Sequence, residues 1–434
     1  MFDTIVAPIS GQLPSAVAWI RLSGPDAWSI AASLFSPWPE TVVPRRAAYG
    51  RYASGDDGLA LPFSADGSYT GEEAVELSMH GSFAAVNAAL EECLYRGARM
   101  AAPGEFTQRA FLNGRIDLTQ AEAVRDSIEA RTAIQLRHAA RNREGALRSE
   151  VSAIRDAAIR LIAAVEASVD FSEEIGDFDR LAGRQTVEAI QKRFQTLMEG
   201  AVVSRVIREG YRIALVGPPN AGKSSLLNRI LGTERAIVTP IAGTTRDFVE
   251  EHVEFEGLSL VLVDTAGLRT STDEIERLGI ERSWSQAMQS DAIWFLYDGR
   301  LGWTDQEEEL LKTVREGETP VTVLANKSDL GEPEGPGRPI SAQTGAGIRE
   351  LFASIQKEVL EKAPEIGINS RHAAIIEECL TVTNELRDAL EHESPDDLLS
   401  VLLQDLVASL GEITGETAEP NMIERIFHDF CIGK

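Results

Sequence analysis

The stretch Gly217-Pro-Pro-Asn-Ala-Gly-Lys-Ser-Ser225 constrains this chain more than any other. A G-x-x-x-x-G-K-[ST] pattern requires a strand before it, a helix after it and an anion held between them. Both flanks are present, since the apolar "YRIALV" runs into the loop and "SSLLNRIL" leaves it. The glycines free the loop to curl, so that backbone N–H groups around Asn220, Ala221, Gly222 and Ser225 turn toward phosphate oxygens at a helix N-terminus. Lys223 is placed to reach the β- and γ-phosphates, and Ser224 to ligate Mg²⁺.

Three further signals follow in a fixed order. Asp264-Thr265-Ala266-Gly267 comes directly after the apolar "LSLVLV", where a metal-orienting carboxylate and a glycine sensing the γ-phosphate belong. Asn326-Lys327-Ser328-Asp329 follows "PVTVLA", and the Asp329 carboxylate can accept from the two N–H donors on a guanine edge, which adenine does not offer. The "ISAQTGAG" run contributes Ser341 and Ala342, whose backbone N–H groups suit the guanine oxygen. From Tyr211 to about Leu360 short apolar runs alternate with helical stretches, the rhythm of a parallel sheet with crossover helices.

The nucleotide is therefore GTP or GDP, with Mg²⁺. Gly243-Thr244-Thr245-Arg246-Asp247 supplies Thr245 as the switch threonine and second Mg²⁺ ligand. After Gly267 stands Leu268, where Ras-type proteins have a water-orienting glutamine. Leucine cannot orient water, so hydrolysis needs another polar group; Asp273, Glu274 and Glu276 lie a few residues on.

Proline divides the rest. Eight of the 18 prolines fall within residues 1–103 and none between Gly104 and Gly217, which separates a strand-and-turn region from a helical one. In the first, "TIVAPI", "AVAWIRL" and "EEAVELSMH" read as strands and "FAAVNAALEECLYRGA" as a helix. Beyond it, Val151, Ile154, Ala158, Leu161, Ile162, Val165 and Val169 form an apolar stripe on a long helix. After Pro364, Ile375, Ile376, Cys379 and Leu380, then Leu398, Leu399, Leu402, Leu403, Leu406 and Leu410, mark helices too apolar to stand alone. They are expected to pair with the earlier helices, which makes the α/β domain an insertion into a helical bundle. The expected partition is 1–117, α+β; 118–207, helical; 208–362, nucleotide-binding; and 363–434, helical again.

Composition narrows the setting. No apolar run approaches a membrane span, no signal pattern opens the chain, and three scattered cysteines fit a reducing compartment; the expectation is a cytoplasmic protein with no membrane association. A net charge of −26 disfavours unaided binding to nucleic acid. If RNA is the substrate, a partner protein or a local patch must supply positive charge.

"NAGKSS" with "GTTRD" resembles the TrmE–Era–EngA group of GTPases. The C-terminal "FHDFCIGK", with "DTIVAPIS", "IRLSG", "YTGEEAVELSMHG", "APGEFTQRAFLNGRIDLTQAEAV", "VDFSEE", "VDTAGLRTSTDEIERLGIER" and "ITGE", resembles the MnmE (TrmE) family of tRNA-modifying GTPases over nearly the whole chain. The resemblance implies an α+β multidomain fold: a folate-binding N-terminal domain, a helical bundle, and an inserted Ras-like P-loop G domain. It implies a homodimer, and a tetrahydrofolate one-carbon donor (5-formyl or methylene) held by Arg21, Glu76, Arg115 and Lys434. The implied partner is the FAD-containing MnmG, in a heterotetramer that modifies C5 of the wobble uridine of tRNA. It also implies a K⁺ site at Asn220, Thr239, Ile241 and Thr244, water positioned by Glu276, and a catalytic set completed by Lys223, Arg246, Arg269 and Cys431. The chain departs from the family in its glycine-poor "SGQLPSAVAW", in "HGS" where "HGG" is usual, and in Arg115 where lysine is common. Two other readings stay open here: a ribosome-assembly GTPase of the Era or EngA kind, and a folate-binding scaffold with a vestigial GTPase. Against the first, only one phosphate loop occurs, and residues 365–434 hold fifteen acidic against four basic side chains.

Overall fold

The computed structural model describes residues 3–232, 250–264 and 288–433, with the side chains at 172, 175, 250 and 264 left aside. The chain divides into two compact units. One comprises residues 1–125, 142–192 and 374–434, and the other residues 126–141 and 193–373. The chain thus leaves the first unit twice, briefly for residues 126–141 and then from Arg193 until it rejoins at Ala374.

In the first unit, strands β1 (Ile5–Pro8), β2 (Ser15–Ser23), β3 (Phe35–Ser36), β4 (Ala48–Tyr52), β5 (Asp57–Phe63), β6 (Ala74–Gly81) and β7 (Arg99–Met100) form a seven-stranded sheet in the order β3-β4-β5-β6-β2-β1-β7. Every pairing is antiparallel except β1 with β7. The alternation in "AVAWIRL" turns Ala18, Ile20 and Leu22 inward, where they meet Leu77 and Met79 of β6 and the helices Ala27–Leu34 and Phe83–Tyr95. Ser82 caps the second helix by accepting from Ala85 N.

The long helix Ala146–Asp170 packs along the helix Asp396–Thr414, so segments before and after the inserted residues pair. Val151, Ile154, Ala158, Leu161 and Val165 are buried on one side, as are Leu399, Leu403, Leu406 and Leu410 on the other. The stripes fade at the helix ends: Val169 and Leu398 are exposed, each within three residues of a terminus.

In the second unit, β8 (Tyr211–Val216), β9 (Glu250–Phe255), β10 (Leu258–Asp264), β11 (Ala292–Asp298), β12 (Val321–Asn326) and β13 (Arg338–Pro339) form a sheet ordered β13-β12-β11-β8-β10-β9, parallel except for β9. Both faces are covered. Trp294 stacks on Phe352 at 5.5 Å on one side, and Phe295 meets Trp303 at 5.9 Å on the other. The helix Ala133–Arg143 also belongs here: Ile134 joins the core of this unit, and Gln135 Nε2 donates to Arg208 O at 3.0 Å. Because the chain builds β9 and β10 on one side of β8 and then crosses to β11 on the other, the loop leaving the C-terminal end of β8 opens at a switch point, where ligands of α/β sheets bind.

Candidate nucleotide and tail sites

The loop after β8 has the backbone that its glycines imply. Gly217, Asn220 and Gly222 have φ of 153°, 62° and 97°, the left-handed half that non-glycine residues rarely visit. A Cβ at Gly222 would collide with Asn326 Nδ2, and one at Gly217 with Leu296 O. The helix Lys223–Leu231 starts immediately after. Ser224 and Ser225 are exposed at its N-terminus, while Ala221 is buried. Lys223 Nζ donates back to the carbonyls of Gly217 and Pro218 at 2.7 and 3.0 Å, so its ammonium lies over the cradle.

Asn326, at the end of β12, ties the site together. Its Nδ2 donates to Ala221 O at 2.8 Å, and its Oδ1 accepts from Lys327 N at 2.8 Å and Ala342 N at 3.0 Å. The side chain is 1 % exposed, so these bonds are formed away from water and set three loops in register. Ser341 Oγ donates to Asp329 Oδ1 at 2.5 Å and accepts from Thr344 N at 3.0 Å. The residues of Asn326–Asp329 and of Ser341–Ala342 that the sequence singled out therefore converge on the phosphate loop.

One member was not visible in the motifs. Asp298, closing β11 beside Asn326 in register, takes Lys327 Nζ at 2.6 Å and Arg300 Nη2 at 2.9 Å. Arg300 first, then Lys327, hold its carboxyl below the usual range. Lys327 Nζ also donates to Asn220 O at 3.1 Å, so Asp298 fixes the lysine that spans the phosphate loop. The available signal was the acidic end of "AIWFLYD", a polar residue after a strand with every position buried.

Thr239, Ile241, Thr244, Thr245, Arg246, Thr265, Ala266, Gly267, Arg269 and Glu276, and with them the expected K⁺ site and switch, lie outside the described residues. So does Lys434. Asp264 is described only as the last residue of β10.

In the first unit, Arg21 and Glu76 are opposed across β2 and β6 and pair with each other, Arg21 Nη2 to Glu76 Oε1 at 2.7 Å. The guanidinium sits 5.3 Å from the ring centres of both Tyr69 and Phe106. Its Nη1 is buried with no hydrogen-bond partner among the described residues. Arg115 is exposed on the neighbouring turn, its aliphatic stem close to Gly71.

The tail is anchored. Phe427 and Phe430 pack on Leu118 and Ala121, Gly104 N donates to Cys431 O at 3.4 Å, and a Cβ at Gly433 would collide with Pro8 O at the end of β1. Pro8 is paired with Ile20, the residue before Arg21. Cys431 is exposed, whereas burial pushes the thiols of Cys93 and Cys379 up to about 12.

A missed cluster supports this region. Arg109 is 2 % exposed, and it pairs with Asp3 at 2.8 Å, Glu105 at 2.9 Å and Glu72 at 3.2 Å. Glu72 in turn accepts from Ser23 Oγ at 2.7 Å, so the network reaches the end of β2.

Comparison with known proteins places both parts of the chain in one family. Residues 118–431 match the family description "MnmE helical domain", and residues 4–115 match "GTP-binding protein TrmE N-terminus". A tRNA modification GTPase MnmE of Synechococcus sp. (strain JA-2-3B'a(2-13)) is 39% identical, covering 100% of this chain and 98% of that protein. The Aquifex aeolicus (strain VF5) protein of the same name is 37% identical, covering 100% of both chains. A crystal structure of Aquifex aeolicus Era bound to GDP and AlF4⁻ is 32% identical over 34% of this chain and 56% of that one, with a TM-score of 0.28. On the full-length relatives and the two family descriptions, the chain belongs to the MnmE family of tRNA modification GTPases.

Proposed function

We propose that this protein hydrolyses GTP in a K⁺-dependent manner and, with an FAD-containing MnmG partner, installs an aminomethyl or carboxymethylaminomethyl group at C5 of the wobble uridine of tRNA, with a tetrahydrofolate supplying the carbon. The observation that carries the GTPase part is the buried Asn326, whose side-chain hydrogen bonds join the phosphate loop to the guanine-reading loops. A cradle that a Cβ would close at Gly222 fits a phosphate chain.

Within that site, backbone N–H groups of Asn220 to Ser225 hold the phosphates, and Lys223 exchanges its contacts with the carbonyls of Gly217 and Pro218 for phosphate oxygens. Asp329, steadied by Ser341, accepts from the guanine edge, and Ala342 N is placed for the guanine oxygen. Ser224 and Thr245 would hold Mg²⁺, with Asp264 oriented toward it. Asn220, Thr239, Ile241 and Thr244 would hold K⁺. Bound there, the two cations would neutralise charge developing on the phosphates, as an arginine finger does. Glu276 would position water in place of the missing glutamine, with Arg246 and Arg269 in the same catalytic set.

For the folate, the unpartnered Nη1 of Arg21 beside two aromatic rings fits a carboxylate or a planar heterocycle. Glu76, Arg115, Cys431 and Lys434 would complete that pocket. We propose further a cytoplasmic homodimer that meets MnmG in a heterotetramer, with the partition 1–117, 118–207, 208–362 and 363–434. Among the described residues no helix is long and apolar enough to cross a membrane.

Nucleoside analysis of tRNA from a strain lacking the protein tests the reading: the C5-modified wobble uridine should disappear and return with the wild-type gene. Unchanged tRNA would overturn it. GTP turnover far faster in potassium than in sodium salts is expected; equal rates would remove the K⁺ site.

A further inference from the structure

A chain with 42 basic and 68 acidic side chains repels polyanions as a whole. Its positive charge is nevertheless concentrated. Residues 131–148 hold five arginines (131, 137, 141, 143 and 148) and a histidine against one acidic residue, Glu144. Most of this run is the helix Ala133–Arg143.

The inner side of that helix is apolar or tied down, with Ile134, Gln135 and Ala139 buried. The outer side is different: Ala133, Leu136, Arg137, Arg141 and Arg143 are all exposed, and no acidic residue lies among them. Arg137 and Arg141 stand four residues apart, on one face and about 6 Å apart along the axis. Neither has an ion-pair partner among the described residues. Like charges at this spacing cost a helix a few tenths of a kcal/mol, and His138 between them is depressed by burial and then by both arginines. On the buried side, where Gly257 lies against Ile134, the adjacent Glu256 pairs with Arg349 at 2.7 Å. Glu144 lies past the helix end.

We propose that the exposed side of the helix Ala133–Arg143 docks the phosphate backbone of tRNA, with Arg137 and Arg141 as its principal contacts. This rests on the tRNA-modifying reading given above. An otherwise acidic chain that lies against RNA draws positive charge from a partner or from a local surface of this kind, because phosphate neutralisation supplies most of the sequence-independent affinity. The guanidinium fork suits phosphate oxygens, and a bare arginine pair on a rigid helix keeps a fixed spacing. The surface reads backbone rather than sequence, so it would position the tRNA and leave the choice of base to the reacting site.

The test uses the full-length protein, an unmodified tRNA transcript and fluorescence anisotropy across a salt series. Arg137→Gln/Arg141→Gln should weaken binding roughly tenfold or more at low salt and lower the slope of log K against log salt by about 2. Arg137→Lys/Arg141→Lys should restore most of both. GTP turnover of the Gln pair should match wild type, showing that it folds. Unchanged affinity and slope in that pair would overturn the proposal, as would wild-type protein that binds a polyglutamate peptide through these arginines and no tRNA. Failure of the wider reading is seen separately: if a deletion strain's tRNA lacks the modified uridine while the Gln pair binds tRNA normally, only the docking surface is lost.

Discussion

The nucleotide site and the Arg21–Glu76 site are built on opposite plans. The first is assembled from loops that each follow the C-terminal end of a parallel strand, so each motif brings its own local geometry and the sheet only has to line them up. The second depends on the register of antiparallel strands, where Arg21 and Glu76 are 55 residues apart, and on a tail more than 400 residues from β1. In the first, polar groups are committed to one another before any ligand arrives. In the second, one guanidinium nitrogen is left over. A preorganised site binds with little rearrangement beyond the swing of Lys223; the second can offer its spare nitrogen to a ligand while the ion pair holds the guanidinium in place.

The largest expected effect separates the two outright. Lys223→Ala should lower GTP turnover at least ~100-fold, the scale of losing one charge-stabilising donor. Arg21→Ala should leave turnover within about twofold and abolish binding of a tetrahydrofolate probe. If Arg21→Ala also stops GTP hydrolysis by the isolated protein, the sites are not separable and the contrast fails. Deleting Cys431 to Lys434 should behave like Arg21→Ala, with GTP hydrolysis kept and tRNA modification lost in the reconstituted complex.

Next comes base choice. Asp329→Asn exchanges an acceptor for a donor at the guanine edge, so nucleotide preference should move from GTP to xanthosine triphosphate in competition binding. A mutant that still prefers GTP would mean that another group reads the base. Asn326→Ala probes the same site through stability. It strips a donor from Ala221 O and an acceptor from Lys327 N and Ala342 N, and buried groups left unpaired cost about 1–3 kcal/mol each. A loss of about 3 kcal/mol or more in denaturant unfolding is expected, and a loss under about 1 kcal/mol would show that water replaces the bonds.

The same contrast explains what could be read from the residues alone. Gly217–Ser224, Asn326–Asp329 and Ser341–Ala342 were legible because loop chemistry is encoded locally. Asp298 was not, since its part depends on lying beside Asn326 in the sheet, which no short pattern records. In the N-terminal region the strands were legible from alternation, but the pairing of Arg21 with Glu76 was not, because register is settled by the packing of a whole face. Arg109 stands in "APGEFTQRAFLNGR", which carried the family resemblance, yet its burial among three carboxylates follows from tertiary packing. The Val169 and Leu398 positions look like core by period and are exposed, since a periodic stripe does not say where its partner ends.

The smallest effect concerns Asp3, at the exposed edge of the Arg109 network. Arg99 first, then Arg109, hold the Asp3 carboxyl down, from 3.8 to about 2. A depressed carboxylate contributes stability that is fully present above its unfolded value, near 4, and is lost as pH falls through its folded value, near 2. Because Asp3 is about half exposed, solvent screens most of the attraction, and the gain at neutral pH should be under about 1 kcal/mol. Wild type should therefore exceed Asp3→Asn slightly in chemical stability at pH 6, and the difference should close between about pH 4 and pH 2. Arg109 lends the comparison its control. Arg109→Met removes a buried cation from beside Glu72 and Glu105, which breaks the ion pairs at their 2 % exposed partner and should cost about 3–5 kcal/mol at neutral pH. That difference should narrow in acid, as Glu105, whose carboxyl is held down against burial by Arg99 and Arg109, takes up a proton. A pH-independent gap for both variants would mean that the network acts through packing and not through charge.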